Sequence, residues 1–264
     1  MAGAGTKRGD QVTHRIMREH LRSQFLTRTS TEGGWTLARC SLVVLVVAAS
    51  VWLAACRPPP ASRAQVAAPT GPAGAALFQV DAGASQLRLY LHADGPLIRL
   101  GHNHVITSRG LQGSVWVHPQ TERSSCDLQL PVATLVVDDP QERAAAGGDF
   151  AEPLDAAARD GTREHMLGDR QLDAAHFPLL RLRCRQLTIT AGVSSLELAV
   201  TLRDHESHLS VPVQWQRSGK LLQVSGEFTF RQSELGLEPY SLLFGALRVA
   251  DEIHARFQLV AREP

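Results

Sequence analysis

Around residue 200 the chain reads Leu196-Glu197-Leu198-Ala199-Val200-Thr201-Leu202, with a leucine or valine at every second position. Successive side chains of a β-strand point to opposite faces, so this alternation predicts a strand with one apolar face and one face toward water. The same alternation recurs in six other segments, which are Leu87–Leu91, Leu128–Leu130, Leu180–Leu182, Val211–Trp215, Phe228–Phe230 and Ala255–Leu259. Seven or more such strands, joined mostly by turn residues, predict an all-β protein built as an antiparallel sandwich or barrel.

One stretch, residues 138–177, breaks this rhythm because it is rich in alanine and in charged residues. Its segments Leu154–Arg159 and Glu164–Gly168 carry no period of two. We therefore expect a loop with one or two short helices, inserted between strands of the sheet. In a binding protein this insertion is a candidate lid or plug.

The apolar positions of the strands are the candidate binding surface. In a barrel of about eight strands they face an interior that is either filled by side chains or just wide enough for one slender ligand. A hydrocarbon chain in such an interior would gain about 0.8 kcal/mol for each buried CH₂ group. The candidate contacts are Leu87, Leu89, Leu91, Leu128, Leu130, Leu182, Leu198, Val200, Phe228, Phe230 and Phe257. The alternative is a filled barrel that serves as a structural or interaction module.

The N-terminal part of the chain resembles a bacterial lipoprotein signal. An uncharged run from Cys40 to Cys56 follows Arg39 and ends in Leu53-Ala54-Ala55-Cys56. A basic flank, a short apolar core and small residues before the cut are typical of an export signal, and a cysteine at the first mature position is typical of the lipidated form. The alternatives are an uncleaved membrane helix, for which the run is short, and an ordinary signal with a chance cysteine.

This interpretation divides the chain into three parts. Residues 1–55 are the leader and signal, residues 56–76 a lipidated tether rich in proline, alanine and glycine, and residues 77–264 the domain. We expect an exported lipoprotein that is held at a membrane by Cys56 and faces the periplasm. Arg57 after the lipidated cysteine favours the outer membrane.

The charge of the exported part argues against nucleic acid as a partner. Residues 1–55 hold seven of the 27 basic and three of the 26 acidic residues, which leaves a net charge of −3 on the remainder. A surface of this charge is a poor match for phosphate groups. The sequence also lacks the common nucleophile, phosphate-binding and zinc-protease motifs, so we expect binding without catalysis.

The sequence Gly101-His102-Asn103-His104 holds the most conspicuous polar residues. In a strand, His102 and His104 would share one face about 7 Å apart. Two imidazoles can supply two ligands to zinc or copper, and a zinc site needs three or four. The alternative function is therefore a metal-binding or redox-accessory lipoprotein, and the plainer interpretation is a pair of hydrogen-bonding histidines at the rim of a barrel.

Cys126 and Cys184 remain in the exported part after Cys40 and Cys56 are assigned to the signal and the anchor. Both lie on the apolar face of their predicted strands. If these strands are neighbours, a disulfide is possible in the oxidising space outside the cytoplasm. Otherwise the two residues are buried free thiols.

Several segments of the domain resemble the YceI-like family. They are Phe78-Gln79-Val80-Asp81 at its start, Leu172–Pro178 before a central strand, Gly226–Leu237 around the penultimate strand, and Val249–Ile253 at the opening of the last strand. They occur in the family's order and at its separations over most of Leu77–Val260.

The resemblance implies an extended, lipocalin-like antiparallel β-barrel in the periplasm. It also implies a long apolar tunnel that binds an isoprenoid lipid or an isoprenoid quinone, with no other cofactor. The sequence departs from the family pattern at two places. Asp204-His205 follows Arg203 where the family commonly has glycine, and Gly101-His102-Asn103-His104 stands where many members have a different loop or strand edge. The oligomeric state stays open, with a homodimer as one candidate.

Overall fold

A computed structural model describes residues 70–190 and 193–264. The predicted leader, the predicted lipid anchor Cys56 and most of the predicted tether therefore lie outside the described residues. Twelve strands are present in the described part: β1 Ala76–Val80, β2 Gln86–Asp94, β3 His104–Ser108, β4 Gln112–Val117, β5 Ser125–Pro131, β6 Val136–Val137, β7 Leu179–Thr190, β8 Val193–Leu202, β9 His205–Ser218, β10 Leu221–Arg231, β11 Ser241–Leu242 and β12 Leu247–Arg262. Two α-helices, α1 Pro140–Ala146 and α2 Ala156–Leu167, lie between β6 and β7.

Eight of the strands close into an antiparallel barrel. The hydrogen-bonded order is β1-β4-β5-β7-β8-β9-β10-β12, and β12 returns to β1 through the pairs Gln79–Arg262 and Val80–Ala261. Closure leaves this ring without an open edge, which removes the row of unpaired backbone groups that an edge strand would expose. The prediction of an all-β, lipocalin-like barrel of about eight strands with a short helical insertion is confirmed.

The first three positions of the ring are each made of two strands in succession. The chain turns at Asp81–Ser85 between β1 and β2, and β2 then continues along the same edge of β12, from Gln258 to Arg248. In the same way β3 pairs with β2 while β4 pairs with β1, and β6 extends the position of β5 by pairing with β3. Each of these three positions in the wall is therefore built from two short strands instead of one long strand.

The barrel has two different ends. At one end lie the start of β9, the end of β10 and the helical insertion, and we call it the helix end. At the other lie the turn between β9 and β10 and the end of β12, and we call it the hairpin end. The buried apolar residues form one cluster toward each end, the first around Leu91, Leu130 and Ile253 and the second around Phe78, Leu128 and Leu222.

The two helices begin and end at recognisable capping residues. The Asp139 carboxylate accepts the amides of Gln141 and Glu142 at the start of α1, and Pro140 occupies its first turn. The Asp155 carboxylate accepts the Ala158 amide at the start of α2. Both contacts satisfy amides that the first turn of a helix leaves unpaired. No helix in the described part of the chain is long and apolar enough to span a bilayer.

Helix α2 is fixed to the helix end of the barrel by one arginine. The Arg163 guanidinium donates to the carbonyls of Leu135 and, at 3.1 Å, of Ala133. Met166 and Leu172, at the end of the helix and beyond it, pack against the apolar cluster of this end. The insertion therefore covers the barrel instead of standing free in solvent.

Candidate functional site

The inner face of the barrel encloses an apolar cavity. Antiparallel pairing sets the alternating side chains opposite one another, so that Phe228 faces Ala255 and Phe230 faces Ile253 across β10 and β12. Leu128 faces Leu182 in the same way across β5 and β7. Because paired strands share their inward parity, the apolar face of every strand contributes to one common interior.

All eleven side chains predicted to contact a ligand lie in the wall of this cavity. They are Leu87, Leu89, Leu91, Leu128, Leu130, Leu182, Leu198, Val200, Phe228, Phe230 and Phe257. The structure thus brings together residues that are up to 170 positions apart in the sequence. Their contact with a ligand stays a prediction.

The cavity is large and almost free of polar groups. The empty volume between its walls is ≈ 1730 Å³, which includes the space at its openings. The side chains of Gln86, Gln171 and Gln232 are polar, and no described residue of the wall is charged. The wall extends from Val224 on β10 to Gln232, the first residue after that strand, roughly 26 Å at about 3.3 Å per residue, which is close to the ~30 Å hydrocarbon thickness of a bilayer.

Part of the wall comes from segments without alternation, and sequence reasoning missed it. The insertion contributes Met166, Gln171 and Leu172, and the segment after β10 contributes Leu235 and Leu237. The insertion was predicted as a lid or plug; these three residues place it in the wall at the helix end, and its action as a lid stays a prediction. Strand alternation gives no signal for such residues, because their position depends on how a loop packs onto the barrel.

A smaller apolar cavity adjoins the first. Its empty volume is ≈ 520 Å³, and it shares Val115, Cys126, Cys184, Leu196 and Val224 with the main cavity. Apolar lining therefore extends past the main chamber along the same strands. The arrangement suits a long, flexible ligand better than a compact one.

Cys126 and Cys184 lie at the boundary of the two cavities. They are directly opposite in the register of β5 and β7, with a Cα–Cα distance of 4.7 Å, and are joined by a disulfide. The strands are thus neighbours, which was the condition set by the sequence. Of the two alternatives left open there, the structure has the disulfide and not the pair of free thiols.

Three aromatic rings of the wall lie in contact with one another. The centroid of Phe228 lies 5.8 Å from that of Phe230 and 6.4 Å from that of Phe257. These separations are in the range of favourable aromatic contacts. Together the rings present a continuous apolar surface on β10 and β12.

Two glutamines give the helix end of the cavity its polar character. Gln171 Nε2 donates to the carbonyl of Glu238 at 2.9 Å, and Gln232 Nε2 donates to the carbonyl of Ala250 at 2.7 Å. Because a carbonyl can only accept, these contacts fix which atom of each amide is the nitrogen. No donor from the described residues reaches either Oε1, so each of these two wall residues has an oxygen free to accept a hydrogen bond.

The histidine pair is arranged differently from the prediction. His104 is the first residue of β3, whereas His102 precedes the strand and is exposed. His104 Nδ1 lies 2.6 Å from Oδ2 of Asp138, so one ring nitrogen is already engaged. Among residues 70–190 and 193–264, no three His, Cys, Asp or Glu side chains are placed to hold a metal ion. The structure adds nothing in favour of the metal-binding alternative.

Asp138 is the centre of a buried polar cluster beside the barrel. Burial acts to raise the pKa of its carboxyl group. The hydrogen bonds from His104 and from the Val105 amide, the charge of His104 and the Arg143 guanidinium outweigh burial and lower that pKa below its ordinary value. The cluster ties β3 to the beginning of the insertion, which makes it structural and separates it from the cavity wall.

The match to a known domain decides the family. The model of the YceI-like domain family matches residues 78–261, which is the whole of the barrel apart from a few terminal residues. The chain belongs to the YceI-like family. The recognition made from the sequence segments is thereby confirmed, while lipidation of this YceI-like protein stays a prediction.

Solved structures with a similar arrangement come from three bacteria. The BcnA protein of Burkholderia cenocepacia is 16% identical, with a TM-score of 0.49 over 69% of this chain and 98% of that one. A polyisoprenoid-binding domain from Saccharophagus degradans is 12% identical, with a TM-score of 0.47 over 71% of this chain and 98% of that one.

The YceI protein of Campylobacter jejuni is 9% identical, with a TM-score of 0.44 over 60% of this chain and 84% of that one. Membership of the family depends on the domain match and not on these three similarities. No curated protein is significantly similar to this YceI-like protein in sequence.

Proposed function

We propose that this YceI-like protein binds a long apolar isoprenoid lipid or an isoprenoid quinone and carries or sequesters it without making or breaking bonds. The observation that supports the proposal best is the apolar cavity, whose described wall has no charged residue and three polar ones. Each CH₂ group buried there contributes about 0.8 kcal/mol, so a long chain accumulates affinity without any specific polar contact.

The shape of the cavity favours a chain over a compact molecule. Its wall follows β10 and the residue after it for roughly 26 Å, and the smaller apolar cavity continues beyond the disulfide. Single small-molecule sites are usually lined by apolar residues with a few convergent polar groups. Here the polar groups are confined to glutamines, which is the pattern expected for a ligand with a long tail and a small head.

We further propose that the protein works outside the cytoplasm, anchored to a membrane. The support is the sequence before the barrel, where Arg39, the uncharged run and Leu53-Ala54-Ala55-Cys56 have the features of a lipoprotein signal. Acylated Cys56 would hold the barrel near the bilayer in which an isoprenoid lipid resides. Arg57 favours the outer membrane as the site of the anchor.

The test is to purify the full chain, extract it with organic solvent and identify co-purified lipid by mass spectrometry. We expect one isoprenoid lipid or quinone per chain. Phe230→Asp places a charge on the inner face of β10, whereas Thr229→Asp places the same charge on the exposed outer face. Only Phe230→Asp should lose the lipid, with circular dichroism showing that both variants keep the barrel. A full chain that carries no lipid, or equal retention by both variants, contradicts the proposal.

A further inference from the structure

Two neighbouring loops at the helix end expose an unusual group of apolar side chains. Of the large apolar side chains that are exposed in the described part of the chain, all but Val136 belong to this group. We call it the apolar tip; it consists of Leu97, Ile98, Leu100, Leu242, Leu243 and Phe244. Phe244 is fully exposed, and Leu100 and Leu243 are 66% and 61% exposed.

The two loops are held together as one unit. The Leu97 amide donates to the carbonyl of Ala246 at 2.9 Å. A Cβ atom on Gly95 would lie 2.5 Å from that same carbonyl oxygen, so only glycine permits this close approach. The tip is therefore a defined surface made by the 95–101 loop and the turn that follows β11.

Two of the most exposed side chains of the tip lie on strained backbone. Leu243 and Phe244 have φ angles of 51° and 58°, in the left-handed region that residues other than glycine seldom adopt. Such conformations are unfavourable and persist where the surrounding structure imposes them. The fold thus maintains an exposed phenylalanine at a strained position, although its burial would be favourable.

The tip stands beside the polar end of the cavity. The segment 232–238, which contributes Gln232 and Leu237 to the wall, leads within a few residues to Leu242. On β12, Leu247 borders the tip and Ile253 lines the cavity. A surface that contacts the tip is therefore close to the end of the cavity that the insertion covers.

The charge around the tip fits an anionic lipid surface. Residues 95–101 and 241–247 contain one charged residue, Arg99, and no acidic residue. Basic and apolar side chains side by side are typical of segments that lie in the interface of a bilayer with anionic lipids. A second copy of the chain is a poorer occupant, because stable dimers bury roughly 800 Å² per partner and involve about 20–30 residues a side.

We propose that the apolar tip inserts into the lipid–water interface of a membrane and sets the helix end of the cavity against the bilayer. This contact is separate from the lipidated Cys56, since it is made by the barrel itself. It goes beyond the binding of an isoprenoid lipid and does not require that proposal to hold. In a carrier it would let a lipid pass between bilayer and cavity without crossing water.

The experiment places a tryptophan at the tip of the full chain. Phe244→Trp is mixed with vesicles of phosphatidylethanolamine and phosphatidylglycerol, with or without bromine on the acyl chains, and its emission is compared with that of the unsubstituted chain. Val136→Trp is the matched control, because Val136 is exposed to 47% and lies outside the tip. Anchoring by another part of the chain would change the quenching of both variants equally.

We expect the added tryptophan of Phe244→Trp to be quenched by brominated lipid at least fivefold more than that of Val136→Trp. Equal quenching of the two variants would overturn the proposal. A second result would also overturn it: Phe244→Trp emits at shorter wavelength without vesicles, and the chain sediments as a dimer. The tip would then be covered by a second copy of the chain. Neither outcome depends on whether the cavity holds a lipid.

Discussion

Arg143 and Asp138 form an ion pair with an Nη1–Oδ1 distance of 2.7 Å, and the exposed fractions of their side chains are 3% and 0%. The arginine comes from α1 and the aspartate from the segment just after β6. Arg143 also donates to the carbonyls of Asn103 and Glu152, so one side chain joins three separate segments. The insertion at the helix end is therefore fixed at its start by a buried cation whose three guanidinium nitrogens all donate hydrogen bonds.

Removal of that cation should destabilise the domain. Arg143→Met leaves the Asp138 carboxylate buried without its partner and three backbone carbonyl contacts unmade. Breaking one side of a buried pair costs about 3–5 kcal/mol. We expect a loss of that size in the free energy of unfolding, measured with urea. Arg170→Met, at an exposed arginine in the same insertion, should change it by less than about 0.5 kcal/mol. Similar losses in both variants would contradict this assignment.

The lowered pKa of Asp138 gives stability a defined dependence on pH. The folded protein favours the ionised carboxylate more than the unfolded chain does, whose aspartates titrate near pH ~3.9. The contribution is therefore complete above that pH and is lost as the pH falls through the lower pKa of the folded state. Asp138→Asn lacks it at every pH, so the stability difference between the two proteins should shrink between about pH 5 and pH 3. A difference that stays constant over this range would show that Asp138 does not titrate as inferred.

The barrel and most of the cavity wall could be predicted because alternation is a local property. Whether Leu198 or Phe230 points inward is decided by its parity within one strand, and every strand repeats the same rule. The family resemblance added closure of the sheet and a hollow interior. Neither inference required knowledge of which strand pairs with which.

The parts that were missed depend on contacts between distant segments. His104 is paired with Asp138, 34 residues further on, and no spacing rule connects them. Gln171 and Leu235 reach the cavity because irregular segments fold back over its end. The apolar tip was missed for the same reason, since its two loops are about 140 residues apart and meet only in the closed barrel.

The Cys126–Cys184 disulfide should contribute to stability through the unfolded state. It closes a loop between residues 58 apart in sequence, and a loop of that length corresponds to about 4 kcal/mol in the chain-entropy treatment. Measured values for native disulfides are typically about 2–4 kcal/mol. We expect Cys126→Ala/Cys184→Ala to lower the free energy of unfolding by that amount, seen as a lower midpoint in urea, and a reducing agent to lower the stability of the parent protein alone. An unchanged midpoint in the double variant would refute the prediction.

Filling the cavity should remove the ligand without introducing a charge. Ala255 is 1% exposed and lies opposite Phe228 and Leu89 in the register of the sheet. Ala255→Trp would project into the empty space between these side chains and displace several CH₂ groups of a bound chain, each contributing about 0.8 kcal/mol. We expect retention of lipid to fall more than tenfold, as seen by native mass spectrometry, with little loss of stability. Thr229→Trp on the outer face should retain the lipid, and equal retention by the two variants would place the ligand elsewhere.

The polar end of the cavity should select ligands that can donate a hydrogen bond. The amide nitrogens of Gln171 and Gln232 each donate to a backbone carbonyl, whereas no donor from the described residues reaches their oxygens, which are free to accept from a ligand. A ligand with a hydroxyl head can donate to these oxygens, whereas an ether or a ketone cannot. One hydrogen bond contributes about 0.5–1.5 kcal/mol, so a prenyl alcohol should bind roughly two- to tenfold more tightly than its methyl ether.

Calorimetric titration of the full chain with the two compounds measures this ratio. Gln171→Leu and Gln232→Leu should bring it close to one. Gln86→Leu is the matched control, because both atoms of the Gln86 amide are already paired, Nε2 with Glu142 and Oε1 with Arg109, and the ratio should stay as in the parent protein. If the ether binds as tightly as the alcohol to the unsubstituted chain, the glutamine carbonyls do not recognise the head group of the ligand. The tail alone then determines its affinity.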